Sequence, residues 1–359
     1  MVEIDGYKQL ALRLDALPNG YPATESGIEL QLLAKIFTPE EAALAAQLRM
    51  TPETPAQLAS RIGGDAGELR LKLKSMVKRG LITASAVEGG LGYSLMPFVV
   101  GIYEMQLDRI DGELAGLFEE YYMQAFGNAL SLKPQVHRVI PVNESIRMDM
   151  EIQPYESVTA ILDHAKSWAV MDCICRLQKK LVGEPCNHPI DVCLMMAKKP
   201  AAFDNNPTVH PLTRLEAEAV LRRAAKAGLV HSVSNNQQGT WYVCNCCTCA
   251  CGILRGLADL GIANVIARSE FVIHVEESLC TACEDCVDYC QFDALMVDGF
   301  ARVNETRSVG CGVCVLACLE GALRLERRPE NEIKPPPPTD TDWQAARAQA
   351  RGISLDQVL

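Results

Sequence analysis

The run Cys280-Thr281-Ala282-Cys283-Glu284-Asp285-Cys286-Val287-Asp288-Tyr289-Cys290 decides the reading of this chain. Its four thiols are separated by two, two and three residues. The first three wrap one short loop around a cubane of iron and sulfide, while the fourth is held too far away to join and points at a second one. A partner segment follows after a short hairpin: Ser308-Val309-Gly310-Cys311-Gly312-Val313-Cys314-Val315-Leu316-Ala317-Cys318. Zinc prefers two separated thiol pairs to a triple at this spacing. A disulfide framework needs an oxidising compartment, and nothing in the chain sends it to one.

The pattern extends to Phe292-Asp293-Ala294-Leu295 after the first motif and Glu320-Gly321-Ala322-Leu323 after the second. Residues 276–328 thus resemble a bacterial-type dicluster 4Fe–4S ferredoxin domain. The resemblance implies a first cluster held by Cys280, Cys283, Cys286 and the remote Cys318. It implies a second held by Cys290, Cys311 and Cys314, with Ser308 in the fourth place. The family has cysteine where this chain has Ser308, and proline where it has Gln291 and Leu319. An alkoxide is a harder ligand than a thiolate and far harder to deprotonate. The second site is therefore a serine-ligated cubane, a cubane with an exogenous fourth ligand, a 3Fe–4S cluster, or absent.

A chain of 359 residues suggests two or three domains. Its 16 cysteines, with no apolar signal region in the amphipathic stretch Met1–Leu17, predict a cytoplasmic, reducing setting in which thiols serve as metal ligands. No uncharged apolar run reaches membrane-spanning length; Leu91–Met105 comes closest and is broken by Gly92, Pro97 and Gly101. A net charge of −11 disfavours nucleic acid as the main partner, and a hydrophobic share of 48% predicts globular domains.

Residues 25–97 read as helices closed by a hairpin. Thr38-Pro39-Glu40-Glu41 is a capping box that opens a helix through Leu48. Thr54-Pro55 opens a second over Ala56–Ile62, and Asp65 with Glu68 caps a third carrying Leu69, Leu73, Met76 and Val77 at helical spacing. Leu81–Val87 and Leu91–Met96 then read as strands around Glu88-Gly89-Gly90. This order resembles a winged-helix domain. The echo of Lys78-Arg79-Gly80-Leu81-Ile82 in Lys226-Ala227-Gly228-Leu229-Val230 suggests a second helix-plus-wing unit, with Thr213–Lys226 helical and Leu229–Val233 pairing with Trp241–Cys244. Glu104–Met123 is expected to be a connecting helix, residues 132–155 extended, and Val158–Val170 helical. Pro335–Pro338 is a polyproline spacer, and Trp343–Ala350 is read either as a docking helix or as a frayed tail.

The expected class is α+β and multi-domain. Residues 1–100 form the winged-helix-like domain and 101–156 a helical and extended connector. Residues 157–275 form a Cys-rich metal-binding domain, 276–328 the dicluster ferredoxin-like domain, and 329–359 a Pro-rich linker and tail.

The Cys-rich region adds nine thiols. Cys173, Cys175, Cys186 and Cys193 fall within a span short enough to hold one 4Fe–4S cube, with Pro189 opening a helix that carries Cys193. His188 is a conceivable alternative ligand, but four thiolates already complete the site and it reads as a capping or solvent-facing residue. Cys244, Cys246, Cys247, Cys249 and Cys251 alternate between the end of a strand and a helix over Ile253–Leu260. Adjacent cysteines cannot all face one point, so three or four of the five share a centre and the rest join another or lie buried. This run resembles the cysteine-rich domain of heterodisulfide reductases, which has contiguous Cys-Cys-Gly where this chain has Cys-Ala-Cys-Gly. Zinc stays open as the alternative metal for either group.

Arg61, Arg70, Lys72, Lys74, Lys78 and Arg79 crowd the third helix and its flanks, and that helix occupies the groove-entering position of winged-helix DNA readers. An iron–sulfur-dependent transcriptional regulator is therefore the alternative reading, with DNA the disfavoured partner, since a basic helix face also serves as plain surface. The ferredoxin-like part is acidic: Glu277, Glu284, Asp285, Asp288, Asp293, Asp298, Glu305, Glu320 and Glu326 outnumber Arg302, Arg307, Arg324, Arg327 and Arg328. Such a surface steers toward a basic rim on a redox partner. No phosphate-cradling loop, catalytic triad or dinucleotide fingerprint is present, so no catalytic residues are assigned. The sequence predicts an electron-transfer protein, a subunit or partner of an anaerobic, flavin- or metal-containing oxidoreductase.

Overall fold

The computed structural model describes residues 5–356 and 358–359, so the start of the expected N-terminal amphipathic stretch lies outside the described residues. Two compact units make up the chain, one of Met1–Ala129 with Gln344–Leu359, the other of Leu130–Trp343. Helices and sheets are mixed, and no helix among the described residues is long and apolar enough to cross a membrane.

In the first unit the predicted starts appear where the caps put them. Thr38 and Thr54 each accept from the backbone three residues on, while Glu41 and Gln57 return the bond, opening Pro39–Ala45 and Pro55–Ile62. Asp65 caps Ala66–Lys78, whose Leu73 and Met76 are buried. The hairpin β1 (Thr83–Val87) and β2 (Gly90–Ser94) follows, paired from Thr83↔Ser94 to Val87↔Gly90. The connecting helix starts later than expected, at Gly112, because Asp111 caps it by accepting from Leu114 N at 2.8 Å, and helical turns continue beyond Tyr121 through Ala129. Arg347, in the C-terminal helix Asp340–Arg351, is fully buried and donates to Ala129 O at 2.8 Å.

The second unit is built on a six-stranded antiparallel sheet of β3 (His137–Ile140), β4 (Ser167–Met171), β5 (Cys193–Ala197), β6 (His210–Leu212), β7 (Val230–Ser234) and β8 (Tyr242–Cys246). Its order is β3-β7-β8-β5-β4-β6. Two expectations are corrected here. Only Val158–Asp163 is helical; Ser167–Met171 is a strand, because a short run of apolar residues this size serves a half-buried sheet as well as a helix. Cys193 opens β5 rather than riding a helix, since Pro189 begins no helix. The helix Arg214–Lys226 and the pair β7–β8 do follow one another, but both strands lie inside the large sheet.

Alternation along the strands sorts the side chains. Leu194, Met196, Val233 and Val243 pack with Val158, Leu162, Ala217, Val220 and Leu221 of the two helices. Cys193, Cys244 and Cys246 stand at the intervening positions and therefore point to the other face. At this end of the sheet Met171 faces Cys193 and Leu194 faces Val243, which brings the thiol-bearing strand ends together.

Residues 271–327 form a smaller packed body within the same unit. β9 (Phe271–Val275) pairs with β12 (Leu323–Arg327), and β10 (Leu295–Asp298) with β11 (Phe300–Val303). Phe271, Ile273, Leu295, Ala301, Leu323 and Leu325 form its core, and Cys280, Cys286, Cys290, Cys314 and Cys318 pack against them. Arg327 fastens β12 by pairing with buried Glu156 at 2.9 Å and buried Glu270 at 2.7 Å. Gly310 and Gly312 flank Cys311 with φ of 68° and 76°. A Cβ on Gly310 would stand 2.2 Å from Phe271 O, and one on Gly312 would stand 2.1 Å from Ser145 Oγ.

Gly310→Ala is expected to cost at least about 2 kcal/mol, combining left-handed strain with overpacking. Gly299→Ala, at φ 75° with nothing near its added methyl, is expected to cost about half as much. Thermal unfolding of the two variants, with bound iron measured in each, checks the order.

Candidate metal centre

Four groups of ligand-type side chains are brought together in the second unit. Cys280, Cys283, Cys286 and Cys318 line one pocket with Ala301, Ala322 and Leu323. Cys290, Cys311, Cys314 and Ser308 line a second with Phe292, Leu295 and Val313. The exchange is crosswise. Cys290 leaves the first motif for the second pocket, and Cys318 leaves the second motif for the first.

Short helices, Asp285–Asp288 and Val313–Ala317, follow each triple. They are entered through left-handed residues, Glu284 at φ 68° and Gly312 at φ 76°. This turn folds the loop back on itself so that its thiols converge. Backbone amides reach the sulfurs: Ala301 N donates to Cys280 Sγ and Ala294 N to Cys290 Sγ, both at 3.3 Å. Such bonds favour the thiolate that a metal needs and tune a bound cluster. Burial pushes Cys286 up to about 11, and Cys311 up to about 12. These thiols stay protonated until a cation pays the cost of ionising them, so metal uptake releases protons. Ser308 is 6% exposed and lines the same pocket as Cys290, Cys311 and Cys314.

The nine thiols of the sheet region regroup relative to the sequence reading. Cys173 and Cys175 follow β4, Cys193 opens β5, Cys244 and Cys246 close β8, and Cys251 lies just beyond. These six form a connected set, with Cys173, Cys246 and Cys251 buried and the other three half-buried. Hydrogen bonds link Cys173 to Cys175 and Cys193, and Cys246 to Cys244 and Cys251. Cys175 also feels Cys251, and Cys193 feels Cys244. The bonds from Cys175 and Cys193, with Arg176 nearby, hold Cys173 well below the usual thiol range. The contact with Cys173, followed by burial, pushes Cys175 and Cys193 well above it.

Cys186 leaves the expected foursome and joins His188, Cys247 and Cys249. One ligand atom from each of these four lies within 4.8 Å of every other. His188, which reads as a capping or solvent-facing residue in the sequence, thus stands among these thiols; the signal that points to it is its position two residues after Cys186. The bond from Cys249, then His188 and the Arg176 charge, bring Cys247 down to about 4.

Arg176 lies between the two groups and is 4% exposed. Its guanidinium donates to Pro189 O at 2.9 Å, Asn245 O at 2.8 Å and Cys247 Sγ at 3.6 Å. Its Nε is buried without a partner among the described residues. Burial opposes its charge, but Cys173, Cys247, Cys246 and Cys193 outweigh that and raise its pKa. A buried cation aimed at converging thiols fits a region built to hold negative charge. The donor set is therefore suited to metal, and the many cysteines point to iron–sulfur binding.

No family model matches the chain. It is 32% identical over 96 residues to the electron transport protein HydN of Escherichia coli strain K12, a match covering 24% of this chain and 55% of that protein. The HydN proteins of strains O6:H1 and O157:H7 match to the same extent. The chain spans about half the length of the curated relatives it matches.

Ser308→Cys is expected to supply the missing thiolate and shift the second pocket's spectrum and reduction potential toward those of an ordinary cubane. Paired electron paramagnetic resonance spectra and redox titrations check this; identical traces for both proteins contradict it.

Proposed function

We propose that this chain is an iron–sulfur electron carrier, a ferredoxin-like subunit or partner of an anaerobic oxidoreductase. The observation that carries the reading is the crosswise assembly of two four-residue pockets from two short motifs. The partial likeness to an electron transport protein supports it. In this reading Cys280, Cys283, Cys286 and Cys318 hold a 4Fe–4S cluster, and Cys290, Cys311, Cys314 and Ser308 hold a second, serine-ligated or 3Fe–4S. The set Cys173, Cys175, Cys193, Cys244, Cys246 and Cys251 holds a further metal centre. Such clusters supply one-electron transfer when bound.

The protein's own contribution is placement and shielding. Leu295, Val303 and Phe292 give the second pocket an apolar lining. The first opens to the surface at Cys283, beside exposed Glu277, Glu284, Asp285 and Asp288. Leu319, 91% exposed beside Cys318, and Leu279 add an apolar patch to this acidic rim. The combination suits a basic-rimmed, flavin- or metal-containing redox partner.

A DNA-reading role has weaker support. Hairpin and basic helix stand in the winged-helix order, and Arg70, Lys72, Lys74 and Lys78 are exposed. Arg79, however, is bound to Glu41 and to Ile36 O, and Arg61 to Glu53 and Gln47 O. Two of the six cations that would meet phosphate are thus spent inside the fold.

Anaerobically prepared protein is expected to carry more iron than one cube, and Cys283→Ala to lose about four iron atoms per chain. Iron and sulfide analysis decides it; a single cube's worth of iron, or unchanged iron in the variant, contradicts the reading. Glu284→Lys with Asp285→Lys is expected to slow reduction of the oxidoreductase captured from anaerobic cells while leaving iron content intact.

A further inference from the structure

Cys186, His188, Cys247 and Cys249 stand together on the scale of a single ion. A cubane carries its four ligands on opposite corners and holds them well apart, whereas a single tetrahedral ion draws them onto one atom. Zinc–sulfur and zinc–nitrogen bonds of about 2.3 and 2.1 Å give a tetrahedral sulfur-to-nitrogen edge of about 3.6 Å. Cys249 Sγ lies 3.7 Å from His188 Nδ1, and all four ligand atoms fall within 4.8 Å of one another. That spacing matches one ion and leaves no room for four irons and four sulfides.

The four residues come from two segments with little regular structure. Cys186 and His188 lie between the helix Ile174–Leu181 and β5; Cys247 and Cys249 lie just past β8. A closed four-ligand site would fasten these loops to each other, and Arg176 Nη2, 3.6 Å from Cys247 Sγ, offsets the excess charge of three thiolates.

Gln291 adds the second element. It follows Cys290, at a position where the resembled ferredoxins have proline, and its side chain reaches across to this site. Its Oε1 accepts from Thr248 N at 3.2 Å and from Thr248 Oγ1 at 3.3 Å, while its Nε2 donates to Gly228 O at 3.0 Å. Thr248 stands between Cys247 and Cys249, and Gln291 Nε2 is also 3.5 Å from His188 Nε2. Proline has no side-chain group able to make these bonds.

We propose that Cys186, His188, Cys247 and Cys249 bind one structural zinc ion, and that Gln291 is a positioning residue that fixes this zinc loop against the Cys290 loop. Zinc has no redox chemistry, so the site tethers the ferredoxin-like body to the thiol-bearing end of the large sheet and carries no electron. The assignment does not depend on the electron-carrier reading.

The test uses the full chain, purified without oxygen and reconstituted with excess iron and sulfide. One zinc per chain is expected, and its X-ray absorption edge should report three sulfur ligands at about 2.3 Å and one nitrogen at about 2.0 Å. Cys249→Ser and His188→Ala should each lose the zinc while keeping iron and sulfide. In competition with a chelator, Gln291→Ala should hold zinc roughly ten- to a hundredfold more weakly. Absence of zinc, four sulfur ligands, or iron and sulfide falling in Cys249→Ser would overturn the zinc site. Unchanged zinc affinity in Gln291→Ala would overturn the positioning role. Zinc without iron would instead remove the electron-carrier reading and leave the zinc site standing.

Discussion

Sulfur ligands grip one inorganic core only if they converge on it, and a short loop can turn only three of its side chains toward a point. Much of the second unit follows from that limit. Each motif sends its last thiol away, Cys290 to one pocket and Cys318 to the other, so neither four-residue set is complete without the other motif. The strands β9 and β12 supply the frame that holds the motifs face to face, and Arg327 ties that frame to buried Glu156 and Glu270. Gly310 and Gly312 serve the same end, because the Cys311 loop passes so close to Phe271 and Ser145 that no side chain fits.

The same constraint is met differently in the sheet. There the converging thiols come from ends of neighbouring strands, and antiparallel register does the work that loop curvature does elsewhere. Cys193 beside Met171, and Cys244 one step past Val243, are adjacent because β5 lies between β4 and β8. Helices on one face leave the other face to the cysteines. Gln291 then connects the two solutions, joining the Cys290 loop to Thr248 and Gly228. Ser308 and Gln291 both stand where the resembled ferredoxins have other residues. The first places a hydroxyl in the pocket of Cys290, Cys311 and Cys314, and the second bonds to Thr248 and Gly228.

Legibility in the sequence tracked how local each feature is. Capping boxes at Thr38 and Thr54 placed helix starts, because the bonds run between residues three apart. The gathering of Cys280, Cys283, Cys286 and Cys318 was legible from spacing together with a family resemblance. The sheet region was not. Which thiols meet there depends on strand order, which no spacing encodes, so Cys186 was grouped with Cys173, Cys175 and Cys193 when it lies with Cys247 and Cys249. His188 is not legible as a member of that group because Cys173, Cys175, Cys186 and Cys193 already make four thiols within a short span. Ser167–Met171 was read as helix because a short apolar run supports either period.

The crosswise sharing of ligands is the central claim, and Cys318→Ala tests it most directly. In the proposed reading Ser308 sets the second cluster apart from the first, so electron paramagnetic resonance of the reduced variant would report on each. The account predicts loss or conversion of the cubane signal of the Cys280, Cys283 and Cys286 site, with the signal of the Ser308 site retained. Loss of the Ser308-site signal with the other unchanged would mean that Cys318 serves its own motif, and would contradict the account.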